Sequence, residues 1–207
     1  KKRLLVKHKR MSIFEVLLVY KSGLSSGLLV TLQMCLFIWS IGLLLGVLIG
    51  FGSVHCKRLG RGVEYLSFLN SGVPVIVLLF WVHYPLQEML QFTIQPFYTA
   101  IFTLAFVNVL GVAEVVKNSI LDIPKQYLEV ARVSGISAYK RFLRIDLPLI
   151  FRHSVAPILM LQVNMLHMTL FASLIGVEDL FRVVQRINAI IYKPVEAYTA
   201  LVFFYIA

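Results

Sequence analysis

Hydrophobic residues in this 207-residue chain are gathered into long uncharged blocks rather than alternating with polar positions. No Asp, Glu, Lys or Arg occurs in residues 22–56, 65–87, 89–113 and 153–177. A helix needs about 20 apolar residues to cross the hydrocarbon core of a bilayer, whereas barrel strands would show alternation. The pattern therefore predicts an all-α integral membrane protein. Four spans are expected, over residues 24–54, 63–84, 97–116 and 154–176.

A fifth apolar segment begins at Ala197 and reaches about half the length of a span before the sequence stops at Ala207. We therefore expect a five-helix transmembrane bundle with its last helix truncated. The first residue is Lys1, and we expect Met11 to be the native start. Residues 1–21 are interpreted as a basic N-terminal tail, and residues 22–207 as one transmembrane domain.

Composition supports a membrane protein, since only 14% of residues are charged and 59% are hydrophobic. In soluble domains about a quarter of the residues are charged. The positive-inside rule assigns the loops 55–64 and 117–152 to the cytosol, with ten Lys and Arg against three in the two outer loops. The net charge of +10 thus indicates membrane orientation, and no nucleic-acid partner is expected.

The N-terminal tail conflicts with this topology. KKRLLVKHKR at residues 1–10 is strongly basic, but the topology places it on the outer side of the membrane. A start at Met11 removes most of the conflict. The alternative is that the tail binds anionic membrane lipid. The two cysteines, Cys35 and Cys56, indicate neither a disulfide framework nor a metal site.

Small and polar residues inside the spans predict helix packing and a polar interior. Gly42, Gly46 and Gly50 recur every four residues and should admit a close neighbouring helix. Gly72 and Pro74 are expected to bend the second span. Polar groups in hydrocarbon should face the bundle interior or a water-filled path. The candidate substrate-path residues are Glu114, Thr169 and Ser173, with His167 and Gln162 as weaker candidates and structural hydrogen bonding as the alternative.

A charged segment, EVARVSGISAYKRFLRIDLP at 129–148, interrupts the apolar pattern. It predicts a helix over 126–134, a corner at Gly135, and a second helix over 138–145. Glycine suits the corner because it adopts positive φ without steric clash. Ser137 should cap the second helix and Pro148 should end it. This segment could lie on the inner leaflet, pack within its own bundle, or dock a cytosolic partner.

The segment resembles the EAA loop of ABC-importer permeases, with Val130 in place of the central Ala. The matching residues are Glu129, Ala131, Gly135, Ile145, Leu147 and Pro148. Further similar stretches are GLLVTL at 27–32, SGVP at 71–74, residues 113–135 and SLIGVEDL at 173–180. The resemblance covers residues 27–207 and points to the polar amino-acid uptake subfamily. His167 and Met168 stand where that subfamily usually has Lys and Asp.

The resemblance implies a permease subunit in a bacterial inner membrane that forms the translocation path. Its loop 124–148, within the cytoplasmic coupling loop 117–152, would dock a separate ATPase. The sequence contains no Gly-x-x-x-x-Gly-Lys-Ser/Thr, so ATP would be hydrolysed by partner subunits and this chain would carry no cofactor or catalytic residue. The implied partners are ATP-binding cassette ATPase subunits, a second permease (the same or a sister chain) and an extracytoplasmic solute-binding protein.

Two other functions are compatible with parts of the sequence. GLSSG at 23–27 fits Gly-x-Ser-x-Gly, which would make Ser25 the nucleophile of an intramembrane serine protease. An ATP-independent secondary transporter or channel is the second alternative. Such proteins often place ionisable residues at mid-membrane depth, whereas Glu114 is the only carboxylate near a span interior and lies close to its cytosolic end.

Overall fold

The structure, a computed structural model, describes residues 13–206. Within this range it describes all side chains except those of residues 13, 125, 128, 132 and 206. Most of the described residues are in helices. The helices are α1 Ile13–Val19, α2 Lys21–His55, α3 Lys57–Gly72, α4 Val75–His83, α5 Pro85–Met89, α6 Pro96–Leu121, α7 Lys125–Val133, α8 Ala138–Arg141, α9 Leu147–Met168, α10 Leu180–Ile191 and α11 Pro194–Ile206. A π-helical turn, Phe142–Asp146, joins α8 to α9, and a 3₁₀ segment, Thr169–Ile175, follows α9.

Three stretches in the described part of the chain are long and apolar enough to cross a membrane. They are Lys21–His55, Pro96–Leu121 and Ala138–Ile175. The first, third and fourth predicted spans are therefore present as helices. Helix α3 and the stretch Val75–Met89 would form a further span as a pair, and they meet at an angle of 97°. The bend expected from Gly72 and Pro74 is confirmed.

Helix α6 is the centre of the bundle. In its most apolar window 72% of residues are buried, against 33% in the other two spans. It packs against α2, α3, α4 and α9. The core beside it includes Met34 and Ile38 of α2, Leu104 of α6 and Met165 of α9. The other long helices are thus arranged around α6.

The row of glycines on α2 forms the contact with α6, as predicted. A Cβ atom at Gly42 would lie 2.1 Å from Asn108 Nδ2, and one at Gly46 would lie 2.6 Å from Val112 Cβ. At Gly50 it would lie 2.7 Å from Val116 Cβ. Any larger side chain would push the helices apart, so these glycines set the distance between them.

A buried amide pair extends this contact to α9. Asn108 Nδ2 donates to Gln162 Oε1 at 3.0 Å, and Gln162 Nε2 donates to Asn108 Oδ1 at 3.2 Å. Asn108 Nδ2 also donates to the Ile38 carbonyl at 3.1 Å. Trp39 Nε1 donates to the Gln162 carbonyl at 3.2 Å. These bonds connect α2, α6 and α9 in the middle of the bundle.

A second apolar cluster closes the end of the bundle at which α2 begins. Amphipathic α10 contributes Leu180, Val184 and Ile187, and Leu201 of α11 packs against them. Val16 of α1 is buried in the same cluster, so residues 13–19 of the predicted tail pack with the domain. Residues 1–12, including Met11, lie outside the described residues.

The charged segment has the predicted corner but a different continuation. Helix α7 ends at Val133, and Gly135 has φ +67°, which a glycine adopts at little cost. Ser137 occupies the N-cap position of α8, but its side chain makes no capping hydrogen bond.

The prediction that Pro148 ends the second helix is wrong, because the chain stays helical from Ala138 to Ile175. In the π-turn Leu147 N donates to the Phe142 carbonyl, five residues back. This wider turn accommodates Pro148, which has no N–H and would clash with a carbonyl in a regular α-helix. The second predicted helix therefore runs directly into the span.

We predict that Gly46→Ala lowers the thermal stability of the detergent-solubilised chain. The added Cβ would approach Val112 Cβ to 2.6 Å and the Val109 carbonyl to 3.0 Å, and such overpacking costs about 1–3 kcal/mol. Gly62→Ala in α3 is the matched control, since nothing lies within 4 Å there and alanine favours a helix by about 0.5–1 kcal/mol. Heating followed by size-exclusion chromatography measures both. Equal midpoints for the two variants would contradict the packing described.

Candidate functional site

The helix–corner–helix unit, residues 125–146, is attached to the end of the bundle that carries the basic loops, which we call the basic end. A cavity of about 370 Å³ separates part of it from the spans. It is lined by Phe51, Val54, His55, Ile120, Leu121, Ile123, Arg141, Phe142, Asp146 and Ile150. The Phe51 and Phe142 rings meet edge to face at 6.4 Å, so the base of the unit rests on the end of α2.

An ion pair supports the π-turn at the base of this unit. Arg141 Nε donates to Asp146 Oδ2 at 3.1 Å. The Asp146 side chain is only 10% exposed, and its Oδ1 has no hydrogen-bond partner among the described residues. Loss of Arg141 would leave a largely buried carboxylate without its counter-ion, so this pair holds the turn in place.

The far side of the unit is exposed and partly apolar. Val133 is 90% exposed and Tyr139 is 73% exposed, and Val130 is exposed as well. Glu129 is also exposed, whereas Ala131 is buried. Side chains of this kind gain free energy when a partner covers them. The unit therefore presents a mixed apolar and charged surface away from the bundle.

The remaining residues of the EAA-like pattern lie where the unit joins the span. Ile145 is in the π-turn and is partly buried, while Leu147 and Pro148 begin α9 and are exposed. They are close to the base of the unit rather than to its exposed helix α7. The sequence pattern thus combines residues of the outward surface with residues of the attachment.

The three candidate substrate-path residues occupy different surroundings. Glu114 is exposed on the surface of α6, one to two turns from its C-terminal end. Thr169 and Ser173 are buried, and their hydroxyls donate to the carbonyls of Leu166 and Leu170, both at 2.7 Å. Within this chain the two hydroxyls are therefore satisfied by their own helix.

Two further polar residues of α9 lie on its exposed surface. Asn164 and His167 are both exposed, and with His153 they follow a helical spacing that places them on one face. Gln162, by contrast, belongs to the buried pair with Asn108. The prediction missed Asn108 and did not select Asn164, since polarity alone does not say which way a side chain points.

At the opposite end of the bundle, two separate motifs of the sequence come together. The Thr31 hydroxyl accepts a hydrogen bond from Leu180 N at 3.2 Å. A Cβ at Gly27 would lie 3.0 Å from Leu180 Cα and 3.1 Å from the Asp179 carbonyl, so a larger residue there would crowd this contact. Asp179 caps α10 by accepting from Arg182 N at 2.9 Å. GLLVTL and SLIGVEDL are therefore two sides of one contact.

The same end contains an open cavity of about 880 Å³ beside the turn between α5 and α6. A polar cluster supports it, in which Gln87 Nε2 donates to Thr99 Oγ1 at 3.0 Å and Ile94 N donates to Gln87 Oε1 at 2.7 Å. His83 Nδ1 lies 3.2 Å from Gln87 Nε2. These bonds fix the turn that faces outward in the predicted topology.

The serine-protease alternative has no support in the geometry around Ser25. This serine lies within α2, and its hydroxyl donates to the Ser22 carbonyl at 3.0 Å. A nucleophile elbow requires a strand-to-helix turn instead.

Comparison with known proteins finds similarity across most of the chain. The family described as "Binding-protein-dependent transport system inner membrane component" matches residues 42–207. The L-cystine transport system permease protein TcyB of Bacillus subtilis (strain 168) is 29% identical over 168 residues, covering 80% of this chain and 71% of TcyB. The histidine/lysine/arginine/ornithine transport system permease protein HisQ of Escherichia coli (strain K12) is 27% identical over 179 residues, covering 81% and 78%.

Solved structures share the fold at lower sequence identity. The crystal structure of an amino acid ABC transporter with histidines aligns with a TM-score of 0.81 at 22% identity, over 92% of this chain and 89% of that one. An inward-facing structure of the MetNI methionine ABC transporter aligns with a TM-score of 0.72 at 20% identity, over 90% of each chain. The arrangement of helices is therefore that of an ABC importer permease, and the chain belongs to the family of binding-protein-dependent transport system inner membrane components.

Proposed function

We propose that this chain is the permease subunit of an ATP-driven importer of polar amino acids. The observation that carries the proposal is the unit 125–146, which is fixed to the spans at its base and exposes apolar and charged side chains at its far side. A cytosolic ATPase that grips the far side could move the spans through the base. Glu129, Ala131, Gly135, Ile145, Leu147 and Pro148 are the proposed coupling residues.

The amino-acid substrate class rests on the relatives. TcyB and HisQ are both permeases of amino-acid transport systems, and so is the glutamine transport system permease GlnP of Escherichia coli (strain K12), 26% identical over 168 residues. Their named substrates differ, and all are polar amino acids. We extend only this shared class to the present chain.

The proposed partners follow from the surfaces of the two ends and the flanks. ATPase subunits bearing ATP would cover the unit 125–146, and an extracytoplasmic solute-binding protein would deliver substrate at the opposite end. A second permease, the same or a sister chain, would face the exposed polar side chains of α9. Asn164 and His167 are costly in lipid, and a partner chain or a water-filled path would remove that cost.

The substrate path is proposed to include Glu114, Thr169 and Ser173, joined by Asn164 and His167. Exposure on the surface of the chain supports Glu114, Asn164 and His167. Thr169 and Ser173 already donate hydrogen bonds to backbone carbonyls, so they could take part only as acceptors or after rearrangement.

We predict that Glu129→Lys abolishes ATP-driven uptake and co-purification of the ATPase while leaving membrane insertion intact. Glu129 is exposed on the far side of the unit, and reversing its charge places a repulsive group in the proposed interface. Uptake in vesicles and affinity purification with the ATPase are the two measurements.

Glu88→Lys is the matched control, since Glu88 is an exposed carboxylate at the opposite end. It should retain ATPase co-purification. Normal co-purification and uptake in Glu129→Lys would refute the docking role. Uptake that persists without any ATPase subunit would favour a secondary transporter or channel.

For the substrate path, we predict that Glu114→Gln raises the KM for uptake. Thermal stability should change little, because the side chain is exposed and its replacement leaves no buried polar group without a hydrogen-bond partner. Thr169→Val separates the two roles of that residue. A change in KM would support a path role, and lower stability with unchanged KM would assign it to structure. An unaltered KM in Glu114→Gln would remove Glu114 from the path.

A further inference from the structure

A crevice at the basic end has no role in the coupling or the path described above. It has a volume of about 260 Å³ and is lined by Ser53, Lys57, Gly60, Arg61, Glu64 and Lys117. These residues come from the end of α2, the first two turns of α3 and the last turns of α6. Three cations and one carboxylate line it, which leaves two positive charges without compensation in the lining.

Lys117 forms the inner wall of the crevice. Its side chain is only 11% exposed, and Nζ donates to Glu64 Oε1 across the gap between α6 and α3. A Cβ at Gly60 would lie 2.6 Å from the Ser53 carbonyl and 3.7 Å from Lys117 Nζ. The absence of a side chain at Gly60 therefore keeps the space in front of the ammonium group open.

Lys57 and Arg61 form the outer rim. They are exposed and lie one helical turn apart at the beginning of α3, where the helix dipole is positive. The first turn of α3 contains no acidic residue, and its N-cap Cys56 makes no side-chain capping bond. The dipole and the two cations therefore act in the same direction, and both favour an anion.

The location selects the kind of anion. The crevice contains Lys57, the first charged residue after the uncharged block 22–56, and we infer from the positive-inside rule that it lies near the headgroups of the cytoplasmic leaflet. Tyr65 and Phe68 of α3 are exposed, and Phe68 lies on the same face of the helix as Arg61 and Glu64, so they provide apolar surface beside the crevice for acyl chains. Basic pockets between membrane helices on the cytoplasmic side bind the headgroups of anionic lipids.

We propose that this crevice binds the phosphate of an anionic phospholipid of the cytoplasmic leaflet. Lys57 and Arg61 contact the phosphate, and Lys117 supplies a buried positive charge behind it while remaining paired with Glu64. The lipid would then bridge α2, α3 and α6 at the basic end.

The test compares retention of dioleoylphosphatidylglycerol with that of dioleoylphosphatidylcholine by native mass spectrometry of the full-length permease in mixed micelles. The wild type should retain phosphatidylglycerol preferentially. Arg61→Gln and Lys57→Gln should each reduce that preference about fivefold, as expected for the loss of one basic residue near an anionic surface.

Arg58→Gln is the matched control, because Arg58 is exposed in the same turn of α3 but does not line the crevice. It should retain the wild-type preference. Equal loss in all three variants, or no loss in Arg61→Gln and Lys57→Gln, would overturn the site. Inorganic phosphate titrated into delipidated protein tests whether the crevice binds free phosphate rather than the phosphate of a lipid headgroup. Binding of phosphate that displaces phosphatidylglycerol at millimolar concentration would overturn the lipid assignment.

Discussion

The close approach of α2 to α6 is the constraint on which the rest of the structure depends. Gly42, Gly46 and Gly50 remove the side chains that would separate the two helices. Into the space at Gly42 the chain places the Asn108 amide, which pairs with Gln162 of α9. Because lipid offers no hydrogen-bond partners, such a reciprocal pair favours the arrangement in which both amides meet. Three spans are thereby fixed relative to one another.

This fixed core explains how movement of the small unit 125–146 could be passed to the membrane domain. Helix α7 follows α6 after a short turn, and α8 continues through the π-turn into α9. Both ends of the unit are thus connected to helices that share the Asn108–Gln162 pair. The Arg141–Asp146 ion pair and the Phe51–Phe142 contact stiffen the base. Movement at the exposed helix α7 would accordingly reach the spans rather than be absorbed in a flexible loop.

The sequence predicted much of this architecture because its signals are local. Long uncharged blocks revealed the spans, glycines four residues apart revealed a packing face, and Gly135 revealed a corner. The error at Pro148 arose because proline rules assume a regular α-helix, whereas the chain adopts a π-turn stabilised by the tertiary setting. Local sequence patterns also did not predict which way the polar side chains of the spans point. Gln162 points to a partner 54 residues away, while Asn164, two positions on, is exposed.

The most direct test of the coupling account is the side of the membrane on which the unit lies. Lys140→Cys in a Cys56→Ser background leaves buried Cys35 as the other thiol, so a membrane-impermeant maleimide reports position 140. If a cytosolic ATPase grips the unit, position 140 should be labelled in inside-out vesicles but not in right-side-out vesicles, and added ATPase should protect it. Labelling from the outer side would contradict the coupling account, since no cytosolic ATPase could then reach the unit.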